Sequence, residues 1–288
     1  MNSQEIIKQR MLKEGILEPD DVELLLQNHP DPVVEIPTLA SVASPRFTYK
    51  LVLPPKTINR GALSVLQLES VIHACQRHQQ RLPNGSRAGF LVGDGAGVGK
   101  GRIAAGIIYE NFLRGRKKSI WLSVSNQLKY DVIRDLRDIG ADEIDFHDLH
   151  TIRSSSISRD VFGSIEEGVI FSTFSSLTAF SNFQRKYKPC LEELLYWCGK
   201  EFDGVIILEE FNQSVKQLYN VRETPAMLES MVSKLQCSLQ NARIVYVCAA
   251  GISDPFHMRY MTRLGLWGTG TAFKGNRCFS VHLNAFLI

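Results

Sequence analysis

The sequence lacks the features that mark several common protein classes. Its six cysteines form no Cys-x-x-Cys pair, so they do not predict a zinc site. No apolar run reaches the ~18 residues that a membrane span needs, and residues 1–10 are polar, unlike a secretory leader. The net charge of +3 is too small to indicate nucleic-acid binding by itself. These absences favour an intracellular protein with no membrane partner.

Short apolar runs alternate with helix-like stretches from residue 63 onwards. The apolar runs, which predict strands, are 89–93, 119–124, 168–173, 204–208 and 242–248. The stretches that predict helices are 63–80, 101–113, 126–138, 187–198, 224–239 and 254–264. Strands that alternate with helices predict a three-layer α/β sandwich with a mostly parallel sheet.

The N-terminal part differs in composition from the rest of the chain. Residues 1–28 carry two apolar groups typical of short helices, Ile6, Ile7 and Leu12, then Val22, Leu25 and Leu26. Residues 29–55 are rich in proline, which favours an extended segment. We therefore predict a helical and proline-rich arm over 1–60, an α/β domain over 61–273, and a tail over 274–288.

A glycine-rich loop, residues 93–100, follows the first predicted strand and precedes a helix. Glycines allow backbone N–H groups to turn inward around a phosphate, and Lys100 adds a full positive charge. Gly101 stands where such loops usually carry a magnesium-binding serine or threonine, while Arg102 offers a further phosphate contact. The predicted phosphate-binding residues are Gly95, Gly97, Gly99, Lys100, Gly101 and Arg102.

A pair of acidic residues, Glu209 and Glu210, ends the predicted strand 204–208. Ligands of open α/β sheets bind at the carboxyl ends of the strands, so these carboxylates are candidates for catalysis. We interpret Glu209 as the magnesium-side acid and Glu210 as the base that orients the attacking water. The alternative is a pair of solvated acids at a strand end.

Other polar groups indicate function less strongly. Asp145, His147, Asp148 and His150 could suggest a metal cluster, but we interpret them as a solvated strand end and loop. The basic run at 114–118 either contacts nucleic-acid phosphates or completes the end of a helix. Positions that could contact a nucleic-acid backbone are Lys129, Arg134, Arg137 and Thr173.

The densest signal is a resemblance to a known family. The segments that carry it are 66–78, 82–85, 87–102, 123–126, 128–131, 134–138, 197–199, 260–261, 263–265 and 267–268. Together they resemble the strawberry notch family over about residues 29–273. The resemblance implies a RecA-like P-loop lobe of a superfamily 2 helicase-like protein that uses ATP and Mg²⁺. It also implies a nuclear role in transcription, and it places Gln67 where helicase-like proteins read adenine.

Two motifs depart from that family. Its acidic motif reads Asp-Glu-Cys-His, whereas this chain has Glu209, Glu210, Phe211 and Asn212. The extra methylene of Glu209 would displace a metal contact, and ~1 Å of misplacement can lower a rate ~100-fold. The family's Ser-Ala-Thr motif becomes 248–250, which carry no hydroxyl. A second lobe, which supplies an arginine finger in such ATPases, is not expected within this chain.

Two functions therefore remain in contention from the sequence. The leading hypothesis is an ATP-binding, helicase-like domain that regulates DNA-templated transcription but does not hydrolyse ATP efficiently by itself. The alternative is an interaction module that binds chromatin or transcription-factor proteins, or DNA or RNA, and retains a vestigial nucleotide site. A small P-loop kinase is disfavoured because position 101 lacks a hydroxyl.

Overall fold

The computed structural model describes residues 3–16, 44–59, 61–154, 164–178, 190–211, 214–215, 225–248 and 258–275. Six strands lie in this part of the chain and form one sheet. They are β1 (Phe90–Val92), β2 (Lys118–Ser123), β3 (Phe146–Asp148), β4 (Gly168–Thr173), β5 (Val205–Glu209) and β6 (Arg243–Val247). All neighbouring strands pair in parallel, in the order β1-β6-β5-β2-β4-β3.

Helices connect these strands and cover the sheet. They are α1 (Ser3–Lys13), α2 (Pro55–Asn59), α3 (Val65–Arg77), α4 (Lys100–Leu113), α5 (Lys129–Asp138), α6 (Leu149–Ser154), α7 (Cys190–Cys198) and α8 (Pro225–Ser238). Helix α3 starts at Ser64, whose side chain accepts a hydrogen bond from the Gln67 backbone N–H while Gln67 Oε1 accepts from Ser64 N. This reciprocal cap explains why the helix begins there.

The sheet has a hydrophobic core on each face. Successive strand residues point to opposite faces, so Trp121 joins one core whereas Ile120 and Leu122 join the other. Helices α3, α4 and α5 cover the first face, and helices α7 and α8 cover the second. Burial on both faces is why the strands are almost continuously apolar.

The predicted fold class is confirmed by this parallel, helix-covered sheet. All five predicted strands occur, with bounds shifted by at most one residue, but β3 was not predicted as a strand. The predicted helix at 254–264 is wrong over its described part, which forms turns and 3₁₀ structure such as Thr262–Leu264 instead of an α-helix. Gly265 ends that turn in the left-handed region (φ 72°), which stops helix growth.

The first predicted helix occurs as α1, whereas Val22, Leu25 and Leu26 lie outside the described residues, as do residues 29–43 of the proline-rich segment. The described end of the arm packs against the domain. Phe47, Tyr49 and Leu53 are buried in the core that covers the first sheet face. Among the helices described, none is long and apolar enough to cross a membrane.

Candidate nucleotide site

The carboxyl ends of the parallel strands bring the predicted site residues to one edge of the sheet. The phosphate loop follows β1, and Glu209 ends β5, two strands away. A cleft of about 410 Å³ opens at this edge between α4, α5 and the ends of β2 and β5. Its lining comprises Gly99, Gly101, Arg102, Trp121, Leu128, Asp131, Val132, Arg134, Asp135 and Glu209. The sheet thus joins the phosphate loop to an acidic strand end 110 positions later in the sequence.

Glycines give the phosphate loop its backbone shape. Gly97 and Gly99 have φ values of 88° and 81°, in the left-handed region that side chains disfavour. A Cβ at Gly99 would also overlap Nε2 of Gln67. Helix α4 begins directly after Gly99 with no side-chain cap, so its positive end faces the loop.

The Lys100 side chain curls back over its own loop. Its Nζ donates hydrogen bonds to the carbonyl oxygens of Asp94 at 3.1 Å and Gly95 at 2.9 Å. These bonds are solvent-exposed, so a phosphate oxygen could replace either acceptor at little cost. Arg102 instead pairs with Asp138 of α5 at 2.6 Å, and a phosphate would have to compete with that carboxylate.

Gln67 lies beside the loop, but its amide is already bonded. It is 4% exposed, and its Nε2 donates to the Val98 carbonyl at 2.8 Å while its Oε1 accepts from Ser64. The side chain therefore ties the start of α3 to the phosphate loop. Its assignment to adenine stays a prediction that would require these bonds to exchange.

The Glu209 carboxylate is held in a fixed orientation at the end of β5. Its Oε2 accepts hydrogen bonds from Trp121 Nε1 and Ser123 Oγ, each at 2.9 Å. Burial raises the pKa of Glu209, while these two donors favour the ionised form and oppose the rise. Two donors on one oxygen fix the orientation of this carboxylate, and its assignment to the metal stays a prediction.

Glu210 has an unusual backbone conformation. Among the described residues, it is the one non-glycine with φ in the left-handed region, at 53°. Its N–H bonds the Val247 carbonyl at 2.8 Å, which holds the turn in place. Such strain costs on the order of 1–3 kcal/mol and is frequent at functional sites, while the catalytic role of Glu210 stays a prediction.

Asp135 of α5 is a site residue that the sequence interpretation missed. Only 8% exposed, it lines the cleft with its carboxylate against Gly101, where a Cβ would overlap Oδ2 and lie 3.2 Å from Cγ. Arg134 holds Oδ1 through Nη2 at 3.2 Å. Burial raises the pKa of Asp135, and Arg134 opposes that rise. The available signal was an acid on the buried helix face that also carries Val132 and Leu136.

Most of the other polar candidates have partners within the protein. Lys129 pairs with Asp148 of β3 at 2.7 Å, Arg134 also pairs with Asp131, and the Thr173 hydroxyl bonds Ser176. In the basic run, Arg114 and Arg116 pair with Glu110 and Asp203. Across the described residues, no three His, Cys, Asp or Glu side chains group as a metal-binding set. Asn212, Ala249 and Ala250 lie outside these residues.

Comparison with known proteins gives a consistent group of relatives. The chain is 52% identical over 247 residues to protein strawberry notch homolog 1 of Gallus gallus and 53% identical over 249 residues to protein strawberry notch of Drosophila melanogaster. It is 44% identical over 246 residues to protein FORGETTER 1 of Arabidopsis thaliana. These matches cover 85–86% of this chain but only 15–20% of the relatives' own lengths.

Among solved structures, the SWI2/SNF2 ATPase core of Sulfolobus solfataricus in complex with double-stranded DNA aligns with a TM-score of 0.42 and 15% identity. That alignment covers 75% of this chain and 37% of the other. The family described as P-loop containing NTP hydrolase pore-1 matches residues 28–286, which extends beyond both ends of the predicted domain 61–273. With this match and its strawberry notch homologues, the chain belongs to the P-loop containing NTP hydrolase pore-1 family.

Proposed function

We propose that this chain binds ATP together with Mg²⁺ at the phosphate loop, as part of a strawberry notch-type regulator of DNA-templated transcription in the nucleus. Membership of a P-loop NTPase family implies nucleotide binding, generally with a divalent metal. The observation that carries the proposal is the cleft that Gly99 of the loop and Gly101 of α4 line together with Glu209. The transcriptional and nuclear parts of the proposal rest on what the sequence resemblance to the strawberry notch family implies.

Each residue has a distinct part in this proposal. Lys100 exchanges its two carbonyl partners for phosphate oxygens, and the first N–H groups of α4 bind the same phosphates. Glu209 lies on the metal side, because Mg²⁺ is usually held by one or two carboxylates together with substrate phosphates. A bound Mg²⁺ would neutralise phosphate charge there, and Glu210 orients a water molecule.

We expect slow hydrolysis even where ATP binds well. Glu209 replaces the aspartate of the related motif, and its side chain is one methylene longer. Trp121 and Ser123 hold its carboxylate, so the carboxylate lies farther from the backbone than that of an aspartate would. Binding depends mainly on the loop and Lys100, whereas turnover depends on the placement of the carboxylates to within about 1 Å. This difference also supports the second candidate, a partner-binding module for chromatin or transcription-factor proteins, or for DNA or RNA.

A titration of the purified chain with ATP by isothermal calorimetry tests the proposal. The wild type should show saturable binding with Mg²⁺, and Lys100→Ala should weaken it by on the order of 10- to 100-fold, because the phosphate loses a full charge–charge contact. Lys56→Ala, which removes an exposed lysine of α2, is the matched control and should bind as the wild type does. A wild type without saturable binding would contradict the ATP proposal and leave the partner-binding module as the better function.

Phosphate release from the same samples tests the assignment of the acidic pair. Glu210→Gln should abolish any turnover while ATP binding remains, since the amide cannot accept the proton of the attacking water. Turnover that survives this substitution would exclude Glu210 as the base. Glu209→Asp shortens the metal-side carboxylate to the length found in the related motif and should raise turnover.

A further inference from the structure

The phosphate loop of this chain lacks the hydroxyl that usually contacts magnesium. In most such loops the residue after the lysine is serine or threonine, and its hydroxyl binds the metal next to the β- and γ-phosphates. Position 101 is glycine here, so the loop offers no side-chain oxygen at that point. A protein oxygen for the metal at that point has to come from elsewhere in the fold.

The structure shows which group occupies that space. The carboxylate of Asp135, from helix α5, lies so close to Gly101 that a Cβ there would overlap its Oδ2. A serine hydroxyl at 101 would be one covalent bond from that Cβ, so the Asp135 oxygen takes nearly the place of the missing group. Gly101 and Asp135 are thus a matched pair, in which the glycine makes room for the carboxylate.

The contacts of Asp135 leave its Oδ2 facing the phosphate loop. Arg134 binds Oδ1 through Nη2 at 3.2 Å and Nε at 3.4 Å, whereas Oδ2 lies next to Gly101. Glu209 lines the same cleft, with its Oε2 held by Trp121 and Ser123. Two ordered carboxylates from different elements therefore face one space beside the start of α4, where phosphates are expected.

We propose that Asp135 supplies the metal-facing oxygen that the glycine at position 101 cannot, so that Asp135 and Glu209 together would hold the Mg²⁺ of a bound nucleotide. This inference rests on the proposed function, because it assigns a residue to the metal of that same ATP site. The competing explanation is that Asp135 serves only to pack α5 against α4. The two differ in whether Asp135 affects the magnesium dependence of ATP binding or only the stability of the fold.

The experiment measures ATP affinity by calorimetry in saturating Mg²⁺ and in EDTA, for the wild type and Asp135→Asn. We expect Asp135→Asn to bind ATP in EDTA as the wild type does, because the loop and Lys100 are intact. We expect it to lose on the order of 10-fold or more of the affinity that Mg²⁺ adds. Asp142→Asn, an exposed acid after α5, is the charge-matched control and should keep the full magnesium effect.

A direct metal readout uses Mn²⁺ and the fluorescence of Trp121, whose indole donates to Glu209 in this cleft. With ATP present, Mn²⁺ should quench the wild type at low concentration, whereas Asp135→Asn should require on the order of 10-fold more. Asp135→Asn that keeps the full magnesium effect would overturn the inference while the ATP proposal stands. A wild type that binds no ATP in either buffer would contradict both.

A ligand swap remains informative if Asp135→Asn folds poorly. Asp135→Ala removes the carboxylate, and Gly101→Ser added to it places a hydroxyl in the vacated space. The double variant should regain part of the magnesium effect that Asp135→Ala loses. If both variants have the circular dichroism of the wild type and the double variant regains nothing, the role of Asp135 is packing and the inference fails.

Discussion

Charged side chains at the two ends of the parallel strands differ in what they contact. At the amino ends, Arg263 is 3% exposed and donates to four backbone carbonyls, and Glu110 is fully buried beside the arm. At the carboxyl ends, Lys100 makes only exposed bonds to its own loop, and the Arg102 side chain is 39% exposed. Arg263 and Glu110 at the amino ends hold the fold together, whereas Lys100 and Arg102 at the carboxyl ends have exposed partners that a ligand can replace.

Helix α4 shows the same contrast within one element. It starts at Lys100 at the phosphate loop and runs back toward the start of β2, so that Glu110 lies near the opposite end of the sheet. There Glu110 accepts hydrogen bonds from the Tyr49 hydroxyl at 2.8 Å and from the Leu53 N–H at 3.1 Å. From this comparison we expect substitutions at the amino end to lower the stability of the fold, and substitutions at the carboxyl end to lower ATP affinity.

The largest effect is expected for Arg263→Ala. The substitution leaves four carbonyl oxygens without this donor and opens a buried cavity, which should lower the free energy of unfolding by about 4 kcal/mol. A fall of ~10 °C in Tm should accompany it. Thermal unfolding followed by circular dichroism measures both, with the exposed Arg81→Ala as control. A variant as stable as the wild type would contradict the role given to the amino-end charges.

Glu110→Ala should cost about 3 kcal/mol, because the Tyr49 hydroxyl and two arm N–H groups lose their acceptor. Glu110→Gln keeps one acceptor oxygen and should cost less. Urea unfolding measures the change, and limited proteolysis should show earlier cleavage in residues 44–54. Equal stability of Glu110→Ala and the exposed-site control Glu201→Ala would show that the arm is held by its apolar contacts instead.

His78 makes the amino end sensitive to acid. Burial lowers the pKa of His78 to about 3 from 6.5, so the folded protein keeps the ring neutral while the unfolded chain takes up a proton below pH 6.5. Stability from this group is complete above pH 6.5 and falls as the pH drops toward 3. Between pH 7 and pH 5 the loss should be about 2 kcal/mol.

Urea unfolding at the two pH values, with His78→Gln as reference, isolates this effect, because all other titrating groups are shared. The variant should lose about 2 kcal/mol less than the wild type over the same interval. Equal losses in both proteins would mean that the ring is protonated in the folded state. Such a result would remove His78 from the set of buried, structural groups.

The smallest effect on stability is expected for Lys100→Ala. Its partners are exposed carbonyls of its own loop, so the free energy of unfolding should change by less than about 0.5 kcal/mol. The same variant should lose most ATP affinity in calorimetry. A large drop in the Tm of Lys100→Ala would contradict the difference between the two ends, because it would mean that Lys100 also stabilises the fold.

Parts of this architecture could be predicted from local pattern. Buried parallel strands need apolar side chains on both faces, so β2, β4, β5 and β6 stand out in the sequence. Strand β3 does not, because three half-buried residues at a sheet edge carry no clear periodicity. The apolar residues near position 260 have helical spacing, which predicted a helix. The backbone there instead bonds to other elements, as where Gln236 Nε2 donates to the Tyr260 carbonyl.

The sequence by itself determined the phosphate loop, because left-handed backbone at Gly97 and Gly99 followed by a lysine is a local requirement of phosphate binding. Only the tertiary structure decided what stands beside that loop. Asp135 is 34 positions from Gly101, and Trp121 is 88 from Glu209, so only chain crossovers and sheet order bring them together. In the sequence, glycine at 101 indicates that a metal ligand is missing. In the fold, the absence of a side chain at 101 leaves room for the Asp135 carboxylate from α5.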